Sequence, residues 1–198
     1  YGMQFAYAEY RGYSLERLTP SMGHEYEERD QRWNKIKILR EAMGDGSGGE
    51  EGQPSYIVWI DADLVILDFQ WRLESIIALH PSADLIASRD SSPESGLINT
   101  GFIIMRSTSW SRDFLDKWWD SYDRAAYSEQ AVFSMLVSSA QFSAGFMDHI
   151  ALEAPPTLNS IFHAWDNQED EHNVLHLAGA HAALRALIFR HGVESICT

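Results

Sequence analysis

The chain has 198 residues, of which 45% are hydrophobic; that is one ordinary domain with a sizeable core, and it excludes a disordered polymer. Twenty-nine acidic residues against 15 basic ones leave a net charge of −14. This balance disfavours nucleic acid and anionic lipid as partners, since both need a basic face; it is compatible with a cation-dependent site and equally with a solvated acidic surface. The single cysteine, Cys197, allows no intrachain disulfide. No apolar run approaches the roughly 20 residues of a membrane helix. There is no signal peptide at the start, and a beginning at Tyr1 rather than Met is compatible with a fragment whose targeting segment lies upstream.

In chain order, Phe5–Tyr10 alternates and reads as a strand closed by Gly12. Arg29–Met43 reads as an amphipathic helix, with Trp33, Ile36, Leu39 and Met43 at helical spacing and Gly44 as its stop. Residues 44–54, rich in Gly and acids, read as a flexible surface loop inside a single domain spanning 1–198. Tyr56–Leu67 reads as a strand interrupted by Asp61 and Asp63. A helix near Trp71–Leu79 and a short strand at Asp84–Ala87 follow. Leu97–Met105 is an apolar strand broken by Asn99-Thr100-Gly101, where Gly marks a close approach of backbone or ligand. Two helices come next, Ser109–Trp119 behind hydroxyl caps and Ser128–Val137, and the last strand is Asn173–Ala178 ended by Gly179. In the first of these helices Trp110, Phe114, Leu115 and Trp118 form the buried stripe. Strands alternating with helices predict an α/β domain around a largely parallel sheet.

The residues that could carry chemistry centre on Asp61 and Asp63. Residues two apart on a strand point to one side, so both carboxylates can converge on a cation; the alternative is a capped strand end facing water. Two anions in so apolar a run are costly unless something cationic pairs with them. A magnesium- or manganese-type ion takes oxygen ligands and leaves positions for substrate phosphates. His176, inside the apolar Val174–Ala178 run, is either a core histidine or a third ligand. His172 and His181 flank it without zinc-site spacing, and a mixed nitrogen and oxygen set favours manganese over calcium. Asn99 and Thr100 could bind sugar hydroxyls or satisfy backbone at a bend. Glu129, opening a helix, sits where the dipole favours an acid anyway. Trp165 is a candidate platform for stacking a sugar.

Read together, Tyr7–Tyr13, Arg32–Ile36, Trp59–Asp63, Asn99–Arg106, Trp110–Asp116, Ser128–Gln130 and His176–Gly179 resemble the galactosyl/mannosyl/xylosyltransferase family. That family contains the yeast Golgi α-mannosyltransferase subunits, fission-yeast α-galactosyltransferase and plant xyloglucan xylosyltransferases, and the resemblance covers nearly the whole chain. It implies a GT-A nucleotide-diphospho-sugar transferase fold with a mainly parallel sheet. The family's usual first strand lies before Tyr1 or is missing. The implied activity is manganese-dependent transfer of a hexose or pentose from a nucleotide-diphosphate sugar to a glycan or glycoprotein hydroxyl, with retention and an α-linkage; magnesium is the other cation it allows.

By position, Asp61, Asp63 and His176 match the metal set, with Asp63 the favoured direct ligand. Gln130 with Glu129 matches the pair near the transferred sugar, and Asp90, Asn99, Thr100 and Gly101 fall in the sugar-pocket segment. Gly179-Ala180 stands where the family commonly has Gly-Cys, and His181 or Arg185 could supply a basic residue near the diphosphate. The family works on the lumenal side of the Golgi membrane, which implies an anchor outside this chain; an oligomer is compatible with it. Two other readings stay open. One is a non-catalytic sugar-binding or complex-forming subunit of this fold. The other is a haloacid-dehalogenase-type phosphatase, because Asp61-Ala-Asp-Leu-Val65 fits its pattern, although the only lysine after Asp63 is Lys117.

Overall fold

The computed structural model describes residues 2–17, 29–45, 54–90, 98–122, 128–138, 144–161 and 173–177. Trp165, His172, Gly179, Ala180, His181, Arg185, Cys197 and the interior of the 44–54 loop lie outside them. The elements are α1 (Gly2–Arg11), α2 (Asn34–Ala42, entered through a 3₁₀ turn at Gln31–Trp33), β1 (Tyr56–Ile60), β2 (Leu64–Ile66), α3 (Leu73–Leu79) and β3 (Leu85–Arg89). They continue with β4 (Ile98–Arg106), α4 (Ser109–Asp120), α5 (Glu129–Ser138), β5 (Ile150–Glu153), α6 (Pro155–Leu158), β6 (Ser160–Ile161) and β7 (Val174–His176).

The first element corrects the sequence reading. Gly2–Arg11 is a helix, not a strand. It has no β-branched residue, and its buried side chains Met3, Tyr7 and Ala8 follow helical spacing, whereas Phe5, which alternation would bury, is 60% exposed. Gly44 stops α2 as expected: it takes φ 62, the left-handed region that glycine enters without strain, and its N–H reaches the Glu41 carbonyl. Thr108 caps α4 by accepting from the Ser111 N–H.

A four-stranded sheet runs in the order β1-β4-β3-β5, and a smaller one in the order β2-β7-β6. β1–β4, β3–β4 and β2–β7 are antiparallel, while β3–β5 and β6–β7 are parallel. The sheet is therefore mixed rather than mainly parallel. Only a crossover returns a strand in the same sense, and no helix is described between β3 and β4. The Tyr56–Leu67 run is likewise two strands in two sheets.

Both faces of the larger sheet are covered. Leu85, Ala87, Ile103 and Met105 face a core of Trp33, Ile36, Leu39, Phe114, Trp118 and Phe133 from α2, α4 and α5 and their flanks. Ile86, Phe102 and Ile104 face a second core with Tyr7, Leu64, Ile66, Trp71, Ile76 and Val174. Burial on both faces is why β3 and β4 read as continuous apolar runs. Trp110 is only partly buried, stacking on Phe114 at a centroid distance of 5.3 Å and on His149 at 4.8 Å. Among the described residues no helix is long and apolar enough to cross a membrane.

Candidate metal and substrate site

Asp61 and Asp63 do come together, but not by strand alternation. β1 ends at Ile60, and the Leu64 N–H donates to the Asp61 carbonyl at 3.1 Å, so both carboxylates belong to a tight turn between the two sheets. Gln4 of α1 braces that turn: its buried Nε2 donates to the Leu64 carbonyl at 2.7 Å and lies 3.4 Å from that of Asp61. On the far side the Leu177 N–H donates to the Asp63 carbonyl, and β7 pairs His176 directly opposite Leu64. Pairing of the two strands thus carries His176 across 113 positions of sequence to the second aspartate. Asp61, Asp63 and His176 each offer a ligand atom, all within 4.8 Å of one another.

The Asn99-Thr-Gly101 interruption has a geometric purpose. On its β1 side β4 stays in register as far as Phe102 opposite Ile60, and the Asp61 N–H then donates to the Gly101 carbonyl at 2.8 Å. On its β3 side the register jumps from Ala87–Ile103 to Ser88–Asn99, leaving Thr100, Gly101 and Phe102 in a bulge. The bulge presses Gly101 into the site. A Cβ built there would lie 2.9 Å from His176 Cε1, 3.0 Å from Asn99 Oδ1 and 3.3 Å from Asp61 Oδ2. Glycine is needed for close approach, since His176, Asn99 and Asp61 surround the space a methyl group would fill.

The positive partner that the sequence argument demanded is partly supplied by the chain. Lys35, 4% exposed on α2, places Nζ 3.2 Å from Asp61 Oδ1, 3.0 Å from Glu129 Oε1 and 3.1 Å from the Thr100 carbonyl. Trp59 Nε1 donates to the same Asp61 oxygen at 2.5 Å. Lys35 was not picked out from sequence as a site residue; the signal was a lysine between Trp33 and Ile36, two members of the buried stripe of its helix. Asn159 was also missed. Fully buried, it holds Oδ1 2.7 Å from His176 Nδ1.

Glu129 and Gln130 begin α5 and face the same space. Thr100 Oγ1 donates to Glu129 Oε1 at 3.0 Å, and the Thr100 N–H donates to Gln130 Oε1 at 3.2 Å. Gln130 Nε2 donates to Asp90 Oδ2 at 3.2 Å, so the amide is held at both ends. Asn99 Oδ1 accepts from the Gly101 N–H at 2.9 Å, satisfying backbone at the bend. A cavity of about 840 Å³ opens here, lined by Asp61, Asp63, Glu129 and Gln130 together with Lys35, Arg32 and Trp59. Asp90, Asn99, Thr100 and Gly101 support its walls from behind. Arg32 is held at the mouth by Asp30, whose carboxyl is drawn below its ordinary range by hydrogen bonds from the Arg32 side chain and N–H.

The donor set fits a divalent cation: carboxylate oxygens and one imidazole, at a spacing a single ion spans, around a gap that only a glycine leaves open. The phosphatase reading calls for a lysine downstream of its aspartates, whereas the lysine that reaches Asp61 is Lys35, upstream on α2.

Residues 57–181 match the family described as nucleotide-diphospho-sugar transferase. The chain is 29% identical over 112 residues to a probable glycosyltransferase 7 of Oryza sativa subsp. indica, covering 54% of this chain and 22% of that protein. It is 29% identical over 140 residues to the probable alpha-1,6-mannosyltransferase MNN10 of Saccharomyces cerevisiae, covering 58% of this chain and 34% of that protein. The chain thus matches between about a fifth and a third of the length of these curated relatives.

Among solved structures, it superposes on a glycosyltransferase involved in the glycosylation of the major capsid of PBCV-1 with a TM-score of 0.67 at 17% identity. That likeness covers 96% of this chain and 89% of the other. It also superposes on the apo-form glycosyltransferase GlyE of Streptococcus pneumoniae TIGR4 with a TM-score of 0.58 at 13% identity, over 96% and 49% of the two chains. These likenesses show the fold, an α/β domain of the GT-A type with a central sheet and flanking helices. With the family match spanning more than half of its length, the chain belongs to the nucleotide-diphospho-sugar transferases.

Proposed function

We propose that this domain transfers a hexose or pentose from a nucleotide-diphosphate sugar to a hydroxyl of a glycan or glycoprotein, with retention and an α-linkage, and that the transfer depends on manganese or magnesium. One observation carries the reading: Asp61, Asp63 and His176 converge beside a cavity of about 840 Å³ that is also lined by Glu129 and Gln130. Asp61, Asp63 and His176 would hold the cation. When bound, it acts as a Lewis acid that neutralises charge on the departing diphosphate.

The remaining work falls to the chain's own groups. Gln130, fixed between Thr100 and Asp90, is positioned to face the charge that develops on the transferred sugar. Glu129 pairs with Lys35 and accepts from Thr100 Oγ1 on the same oxygen, which fixes the start of α5 and with it the neighbouring Gln130. Asp90, Asn99, Thr100 and Gly101 act from behind the lining, holding Gln130, Glu129 and the β4 bulge in place. Retention places donor and acceptor on one face, and the departing phosphate takes the acceptor's proton; no covalent sugar–enzyme step is needed.

The name of the yeast relative, an alpha-1,6-mannosyltransferase, supports an α-linkage and a hexose. As the family resemblance implies, the protein works on the lumenal side of the Golgi. The test is a thermal-shift screen of UDP- and GDP-sugars with and without manganese, followed by transfer assays on the stabilising donor. A donor that stabilises only with manganese, and not in Asp63→Ala, is the expected result; equal stabilisation in that variant would sink the metal assignment. Binding without turnover in the full-length protein would instead assign a non-catalytic subunit of the same fold.

A further inference from the structure

His176 has two ring nitrogens, and the structure gives them different neighbours. Nδ1 meets Asn159 Oδ1 at 2.7 Å, a normal hydrogen-bond distance. Nε2 faces Asp63 Oδ1 at 3.4 Å, longer than an N–H···O bond prefers. An amide oxygen only accepts, so the short contact requires a proton on Nδ1. Nε2 is then the nitrogen left to face the Asp63 carboxylate, and a cation between the two would draw on both as donors.

Asn159 is placed for this by backbone, not by chance contact. It caps α6, its N–H donating to the Pro155 carbonyl at 2.8 Å, and it immediately precedes β6, which pairs in parallel with β7 at Ser160–Leu175. Its side chain is fully buried, and its Nδ2 has no hydrogen-bond partner among the described residues. Among the described residues the polar contact of this side chain is the one its Oδ1 makes with His176. The contact to His176 is what that orientation provides.

We propose that Asn159 is a positioning residue that locks His176 in the Nδ1–H tautomer and so turns Nε2 into a metal donor aimed at Asp63. The proposal rests on the reading of Asp61, Asp63 and His176 as a metal set. It concerns a residue that touches neither sugar nor cation.

Two measurements test it on the whole protein. Long-range ¹H–¹⁵N NMR of histidine-labelled protein without metal, with the His176 signals identified by their loss in His176→Gln, reports the tautomer. Calorimetric titration with manganese alone reports affinity. The wild-type ring should carry its proton on Nδ1. Asn159→Leu, similar in size but without an acceptor, should move it toward Nε2 and weaken manganese binding by about 10- to 100-fold, as loss of an outer-sphere partner generally does. Asn159→Asp keeps an acceptor and should keep both the tautomer and the affinity.

A wild-type ring protonated on Nε2 overturns the proposal with no variant needed. So does a folded Asn159→Leu with unchanged tautomer and affinity. Should Asn159→Leu not fold, the wild-type tautomer and Asn159→Asp still decide. Failure of the metal reading looks different: manganese would bind Asp63→Ala as well as wild type, whatever tautomer His176 adopts.

Discussion

The two aspartates of one turn are built into opposite surroundings. Asp61 sits at the end of the larger sheet, with a buried lysine and an indole N–H on one oxygen and the Gly101 bulge against the other. Asp63 opens the smaller sheet and faces a histidine whose near nitrogen is held at 3.4 Å. Asp61 is thus part of the protein's own charge balance, shared with Lys35 and Glu129. Asp63 and His176 are arranged as a pair of donors across a gap. Residues two apart in sequence are therefore set differently: the first is tied to the chain's own lysine and indole, and the second faces the histidine, where the proposed cation would find its most direct donors.

That division can be broken from either side. The largest expected effect is on function. Asp63→Ala should abolish manganese-dependent donor binding and lower transfer by at least about 1,000-fold, on the order of 4 kcal/mol of transition-state stabilisation, while the melting temperature changes little. Lys35→Met should do the reverse and act first on folding. It leaves Glu129 and Asp61 without their shared cation, and breaking a buried ion pair by removing one partner costs about 3–5 kcal/mol. For a chain of this size that is a fall of about 6–20 °C in melting temperature. If Lys35→Met melts like wild type, Asp61 is not balanced in the way described.

Gly101→Ala sits between these two. A Cβ 2.9 Å from His176 Cε1 forces the ring or the bulge to move, which should cost about 1–3 kcal/mol and weaken manganese binding, as followed by unfolding curves and calorimetry. Trp59→Phe keeps the ring but removes the hydrogen bond to Asp61. About 1 kcal/mol of stability should be lost, with manganese affinity nearly unchanged if Asp63 and His176 are the direct donors.

The smallest effect lies far from the site and serves as a control. The Tyr13 hydroxyl donates to Glu74 at 2.7 Å and holds its carboxyl below its ordinary range. A depressed carboxyl contributes stability that is present above the unfolded value, about 4.5, and lost as pH falls through the folded one. The pH-dependent part of the gap between wild type and Tyr13→Phe should be flat near neutrality, no more than about 0.5 kcal/mol for so exposed a pair, and should close on acidification. A gap that widens in acid would contradict this assignment.

Much of this was legible in the sequence where a short-range pattern fixes the outcome. The α2 stripe of Trp33, Ile36, Leu39 and Met43, its stop at Gly44 and the α4 face are set by local spacing and by chemistry within one turn. The convergence of Asp61 and Asp63 was also legible, though for the wrong reason, because a turn and a strand both place residues two apart near one point. Gly2–Arg11 misled because six alternating residues match both periods, and only packing of Met3 and Tyr7 against the smaller sheet and its flank chooses the helix.

What the sequence determined by itself was which groups are available: two carboxylates in an apolar run, an Asn-Thr-Gly break in a strand and a histidine far downstream. Only the tertiary structure decided which of them meet. Strand direction, the β4 bulge, the pairing of His176 opposite Leu64, the buried Lys35 and the hold of Asn159 on His176 all arise between segments tens of residues apart. Hydrogen-bond registry and desolvation act on distance in space, and no local pattern records them.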